Sequence, residues 1–198
     1  TSITIPEKVT SIGKYAFYEC SSLTRLNSNV DGVFNVSSGV TIIDECTFED
    51  CLLVETVNLG DQVTSIKYAA FRGCSMLSSF TIPQTVTTIG NYAFSGCSIS
   101  EIVIPDKVIG IPEYAFANCK NLTSVTVPKS VKTIGNRAFY SDYYLSDIYY
   151  KGPSSGWNAI SKHSNKILHL QNEILFFGST KDYLETEHGK AFLGGLND

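Results

Sequence analysis

Apolar residues recur along the chain in two alternating rhythms. Pairs spaced by two residues are Ile3 and Ile5, Val57 and Leu59, Phe80 and Ile82, Ile102 and Ile104, and Val125 and Val127. That period of two predicts short strands with both side chains facing inward. Pro6, Pro83, Pro105 and Pro128 follow these pairs and end the pairing by removing a ladder donor. A Val-x-x-Ile-Gly stretch then turns the chain and allows a second short strand at Thr-Ser-Ile or Thr-Thr-Ile. The next segment, Tyr-Ala-Phe-x-x-Cys, is too short for a mature α-helix and predicts a 3₁₀-type turn.

The two rhythms repeat as one unit. Thr1–Leu23 reads TSITIPEKVTSIGKYAFYECSSL, and Glu55–Leu77, Ser78–Ile99, Ser100–Leu122 and Thr123–Leu145 repeat its frame. Phe48, Phe71, Phe94, Phe116 and Phe139 mark it, as do Cys51, Cys74, Cys97 and Cys119, with one residue missing after Cys97. Thr24–Val54 carries eight extra residues. Phe34 and Val36 fit its strand positions, which leaves Thr24–Asp31 as an expected protruding loop. Ser146–Leu168 starts in frame at Ile148 and Tyr150 and then drifts, and 169–198 does not fit. Such periodicity predicts a solenoid in which each coil buries its apolar face against its neighbours. The domain reading is one solenoid of about seven coils over 1–168, irregular at 24–54 and atypical at 146–168, and a C-terminal cap or tail over 169–198. Asp182–Phe192 can hold a short helix.

The frame, x-x-I-x-I-P-x-x-V-x-x-I-G-x-x-A-F-x-x-C-x-x-L, resembles the BspA-type (Treponema-type) leucine-rich repeat. The segment SDIYYKGPSSGWNAI at Ser146–Ile160 is similar to the stretch that often follows the last regular repeat of that family. Asp142 departs from the frame, standing where Cys is expected. The resemblance implies a right-handed leucine-rich-repeat solenoid, mostly β with little α-helix, and a parallel sheet on one face. It also implies extracellular or cell-surface proteins that adhere to or bind host proteins. The family has no shared catalytic residues to carry over.

Composition narrows the partners. The 198 residues carry only 17% charged side chains and a net charge of −4, which argues against a non-specific nucleic-acid binder. No run of 18 apolar residues predicts a membrane span, and no basic start leading into an apolar stretch predicts a signal peptide. The chain starts within the first step of a repeat, so further sequence upstream is expected. Cys20, Cys51, Cys74, Cys97 and Cys119 fall in one ladder and are expected to be buried thiols, since in-register Cβ vectors suit a disulfide poorly. Cys46 takes the position of Tyr15, Tyr92 and Tyr114. No metal site and no cofactor are expected; Cys46-x₄-Cys51 alone is too weak a signal.

Gly152-Pro153-Ser154-Ser155-Gly156 matches the nucleophile-elbow pattern G-x-S-x-G, and His163, His169 and His188 follow it. A hydrolase on Ser154 is therefore a remote alternative, set against a Gly/Ser-rich turn. Asn35 and Asn121 head N-x-[ST] sequons. Tyr143, Tyr144, Tyr149, Tyr150 and Trp157 are expected to plug the core's end, and the Tyr15, Tyr92 and Tyr114 row to pack on the coils' outer edge. The outward strand positions form a flat, neutral, hydroxyl-rich sheet, and the candidate partner-binding residues on it are Asn35, Asn58, Thr81, Glu101, Thr126, Asp147 and Tyr149. The functional expectation is a non-enzymatic interaction or adhesion module whose partner is a protein or a glycan. The alternative is a structural spacer.

Overall fold

A computed structural model describes residues 1–6, 8–162 and 174–177, with side chains for 1–6 and 8–161. The chain is a parallel β-solenoid of about six turns with little helix. One face holds β1 (Ser2–Ile3), β2 (Arg25–Leu26), β3 (Val33–Asn35), β5 (Thr56–Asn58) and β7 (Ser79–Phe80), then β9 (Glu101–Val103), β11 (Ser124–Val127), β13 (Asp147–Tyr150) and β15 (Ile174–Phe177). A second face holds β4 (Ile42–Ile43), β6 (Ser65–Ile66) and β8 (Thr88–Ile89), then β10 (Gly110–Ile111), β12 (Thr133–Ile134) and β14 (Ser161–Lys162). All pairings are parallel, and regular coils meet one repeat apart, as in Val57↔Phe80 and Val125↔Ile148. β15 extends the first face beyond residue 168, with Asp147↔Ile174 and Tyr150↔Phe177 in register.

The inward positions fuse into one continuous core. Phe17, Phe48, Phe71, Phe94, Phe116 and Phe139 stack nearly coplanar, with centroids 5.3, 5.4, 5.5, 5.4 and 5.7 Å apart. Beside them run the thiols. Cys20, first in the row, is only half-buried, and from the second coil on each Sγ–H of the row donates to the Phe carbonyl of the preceding coil: Cys51 to Phe17 at 3.2 Å, Cys74 to Phe48 at 3.0 Å, Cys97 to Phe71 at 3.2 Å and Cys119 to Phe94 at 3.2 Å. Burial pushes the Cys51 thiol up to about 12 and those of Cys74, Cys97 and Cys119 well above their ordinary value. The row is thus more than apolar filler, because it adds a second hydrogen bond to carbonyls that already accept a backbone N–H, as Phe17 O does from Cys20 at 3.1 Å.

The Tyr-Ala-Phe-x-x-Cys segment has the expected i→i+3 bonds only at every second residue. Ala16, Tyr18 and Cys20 donate to Gly13, Tyr15 and Phe17, whereas Tyr15, Phe17 and Glu19 donate to Glu45, Thr47 and Glu49 of the next coil. Two residues per coil take left-handed φ to make this alternation. Tyr15, Cys46, Ala69, Tyr92, Tyr114 and Arg137 form one such row, and Glu19, Asp50, Gly73, Gly96, Asn118 and Ser141 the other. The first five of these turns therefore stitch two coils and close themselves at once, whereas the turn at Arg137–Ser141 keeps only the bonds within its own coil.

The insertion departs from the sequence expectation. Arg25–Leu26 belongs to no protruding loop. It is a strand, paired Ser2↔Arg25 and Ile3↔Leu26, and it pairs in turn with β3 through Leu26↔Phe34. The eight extra residues supply a strand to the first face alone. On the second face Ile12 bridges directly to Ile43.

Candidate functional site

The outward residues of the first face divide into two patches. Asn35 pairs in register with Asn58, and the Asn58 Nδ2–H donates to Asn35 Oδ1 at 2.7 Å. Thr81 follows, exposed, at the end of β7. The second patch comprises the row Glu101, Ser124, Asp147 and the row Val103, Thr126, Tyr149. Strands β7 and β9 belong to separate sheets, so the seven candidate residues do not form one ladder. The missing residue after Cys97 accounts for the gap on this face. On the other face two bonds are missing at this junction: Ile109 does not donate to Thr87 as Thr87 does to Thr64, and Pro112 has no N–H to donate. Lys67, Gly90 and Gly135 each donate an N–H to the Ile carbonyl of the preceding coil, and Pro112 stands in that position without one.

The first patch opens into a cavity at the insertion. Beyond Leu26 the chain turns away at Asn27, whose φ is 47°. The strands continuing β1 and β3 are left about two strand spacings apart, roughly 9–10 Å. In regular coils one hydrogen bond closes this level, as in Val36 N–H to Asn58 O at 3.0 Å and Ile104 N–H to Thr126 O at 2.9 Å. Here the Asn27 side-chain amide splits that bond into two. Ile5 N–H donates to Asn27 Oδ1, and Asn27 Nδ2–H donates to the Asn35 carbonyl at 3.2 Å. Asn35 Nδ2–H returns a bond to the Asn27 carbonyl at 2.9 Å. The remaining slot, about 630 Å³, is lined by Thr4, Ile5, Ser28, Asn29, Val36, Ser37 and Ser38 around Asn27 and Asn35, with no charged side chain. Sequence reasoning pointed to Asn35 and Asn58 as outward strand positions and to the loop near Asn27–Asp31 as a feature that could raise a binding reading, but gave Asn27 no role of its own. The signal was available: Ser2–Ile3 and Arg25–Leu26 are one repeat apart.

The other candidates resolve individually. Ser154 is exposed and opens a six-residue helix, α1 (Ser154–Ala159), in place of the expected turn. It is not among the residues with positive φ, and a nucleophile elbow needs a strained turn. The flanking glycines have another cause: a Cβ on Gly152 or Gly156 would lie 2.6 or 2.7 Å from Tyr150. Tyr150 and Trp157 are buried and 5.6 Å apart, closing that end of the core. Tyr143 and Tyr144 are 76% and 70% exposed and do not join the plug, and Tyr149 faces outward. His163, His169, His188 and Asp182–Phe192 lie outside the described residues.

The outer row of tyrosines is partly packed. Tyr92 and Tyr114 stack at 4.7 Å, and Arg137 lies over Tyr114 and Tyr140. Tyr15 stays 56% exposed, and Cys46, its counterpart in the next coil, is buried. Desolvation, then a hydrogen bond to Glu49, raises the Cys46 thiol to about 11. Asn35 carries its sequon amide inside the hydrogen-bonded ladder, whereas Asn121 is exposed. Among the described residues no group of three or more His, Cys, Asp or Glu could hold a metal ion, and no helix is long and apolar enough to cross a membrane.

A stack of repeat coils with a parallel strand face, Phe and Cys ladders and tight turns joining the coils defines a leucine-rich-repeat solenoid. The chain belongs to the BspA-type leucine-rich repeat family, whose model matches six copies over residues 1–39 and 41–164. Among solved structures it is similar to a leucine-rich repeat protein from Bacteroides ovatus ATCC 8483 (25% identity, TM-score 0.58, 75% of this chain and 47% of that one). It is also similar to one from Eubacterium ventriosum ATCC 27560 (22%, 0.61, 74% and 48%). A third is the T. pallidum leucine-rich repeat protein (19%, 0.54, 88% and 86%). The chain thus spans about half the length of the first two. No curated protein matches it.

Proposed function

We propose that the chain is a non-enzymatic interaction module of a cell-surface or secreted repeat protein, engaging a protein or glycan partner through its first face. The observation that carries this reading is the composition of that face. Asn58, Thr81, Glu101, Val103 and Tyr149 project outward and are exposed, while the interior positions of the same strands are consumed by the core. Exposed polar side chains on a rigid sheet offer many weak contacts and no strong anchor, which suits repeated use along a longer chain. The ordinary helical setting of Ser154 supports the non-enzymatic part.

The test is a matrix-protein and glycan array probed with the native chain and with a Thr81→Arg/Thr126→Arg variant. The expected result is a binder lost in the variant at unchanged melting temperature. Absence of any binder would favour a spacer role.

A further inference from the structure

We propose that the slot beside Asn27 binds an extended peptide segment, which enters as the missing strand between the first and second coils. This rests on the interaction reading above and specifies its contact. The first rung of the slot is already spanned by an amide, the Asn27 side chain, bonded to Ile5 N–H on one wall and the Asn35 carbonyl on the other. The next rung consists of the Ile5 carbonyl and the Ser37 N–H. At the equivalent positions Lys151 N–H meets the Val127 carbonyl at 2.9 Å, whereas Gly60 N–H and the Val36 carbonyl form no such bond although their coils are paired. Across the slot neither group has a protein partner among the described residues. Four other coils place Pro where Ser37 stands (Pro6, Pro83, Pro105, Pro128), so the donor here is available by sequence.

A peptide amide lying in that gap donates its N–H to the Ile5 carbonyl and accepts from Ser37 N–H through neighbouring units of one strand. Strand addition of this kind draws affinity from main-chain bonds and little from side chains. The gap is short: at Gly39 an added Cβ would lie 3.4 Å from the Val9 carbonyl, so the two coils are again in contact there and the slot admits the end of a single strand. The hydroxyl and amide lining, without charge, favours a segment of small neutral residues.

The experiment pans a random heptapeptide display library on the native chain and measures the enriched peptides by titration. Ser38→Trp and Thr4→Trp, both at exposed positions, obstruct the slot; Lys132→Trp on the second face is the control. Expected are at least a tenfold loss with either obstructing variant (about 1.4 kcal/mol) and unchanged affinity with Lys132→Trp. N-methylation at one central peptide amide should give a similar loss, and bound peptide should slow exchange of the Ser37 amide. Unchanged urea midpoints verify that the variants fold. Peptides insensitive to both obstructions but lost with Thr126→Trp would overturn the slot and leave the interaction reading intact. No enrichment over bait-free panning would overturn the slot as well. A neutral oligosaccharide competed by Ser38→Trp, with no peptide bound, would overturn the peptide as occupant.

Discussion

The solenoid is irregular at two junctions, and they are irregular in opposite ways. Between the first and second coils the chain adds eight residues, a strand and a slot; between the fourth and fifth it drops one residue and substitutes Pro112. Yet the Phe stack hardly notices either. Phe17–Phe48 is 5.3 Å and Phe94–Phe116 is 5.4 Å, against 5.4 Å for the regular Phe48–Phe71 step. The turn row is equally intact: Phe17 donates to Thr47 at 2.9 Å and Phe94 to Ala115 at 2.8 Å. Coil pitch is therefore set by the turn row and its rings, and the strand faces adapt to it. The reason is the left-handed turn, which in the first five coils commits each N–H from its tyrosine position to its cysteine either to its own coil or to the next and leaves no slack for slippage.

The largest expected effect probes the weaker junction. Phe94→Ala should cost about 3–5 kcal/mol, the usual loss for a buried ring. At this step both faces lack strand pairing, so urea unfolding should also split into two transitions, one for each half of the stack. Phe48→Ala should cost a similar amount in a single transition. Equal, single transitions for both variants would show that the sheet breaks carry no mechanical weakness.

A second prediction concerns the one acid placed in the thiol row. Asp142 is buried where Cys is expected; its Oδ1 accepts Cys119 N–H at 2.8 Å, and its Oδ2 has no partner among the described residues. Desolvation raises its carboxyl to about 8. The unfolded chain ionises near 4, so it loses the extra proton first. Stability should then fall as pH rises from about 4 to about 8, and level off above that range, by an amount on the order of several kcal/mol. Asp142→Cys should abolish that slope, measured as urea midpoints at pH 5 and pH 8. A slope persisting in the variant would assign it to other groups.

The slot itself is tested by Asn27→Ala. Removing the bridging amide strands one donor and one acceptor in a half-open site, for an expected loss of about 1–3 kcal/mol. Exchange of the Ile5 amide should accelerate with it. Unchanged exchange would mean that the bridge is dispensable and that the strands of the second coil alone hold the slot open.

Most of the fold was legible because its ladders rest on identical spacing: Phe, Cys and the paired apolar residues recur in step, and parallel stacking converts that step directly into contact. The strand Arg25–Leu26 was obscured by a better apolar match at Phe34 and Val36, yet Arg25–Leu26 and Val33–Asn35 are both strands. Left-handed turns were harder to read. In one row Gly73, Gly96, Asn118 and Asp50 are residues that tolerate positive φ, but in the other Tyr92, Tyr114 and Arg137 are not. The candidate site was half visible. Asn35 and Asn58 belong to it through their outward strand positions, whereas Asn27 was hidden because the one-repeat spacing from Ser2–Ile3 to Arg25–Leu26 was outweighed by the apolar match at Phe34 and Val36.

The smallest effect sharpens the second junction. Pro112→Gly restores an N–H opposite the Ile89 carbonyl, where Gly90 and Gly135 make their bonds at 2.8 and 2.7 Å. The new bond should add about 1 kcal/mol, offset by the greater freedom glycine has in the unfolded chain, so net stability should move by less than about 1 kcal/mol. Stability alone is then a poor readout, and protection of the restored amide against exchange is the better one. Protection comparable to that of Gly90 would show that a single missing donor interrupts the second face. A freely exchanging amide would show that the residue missing after Cys97 holds both faces apart, and that one deletion on the first face governs the whole junction.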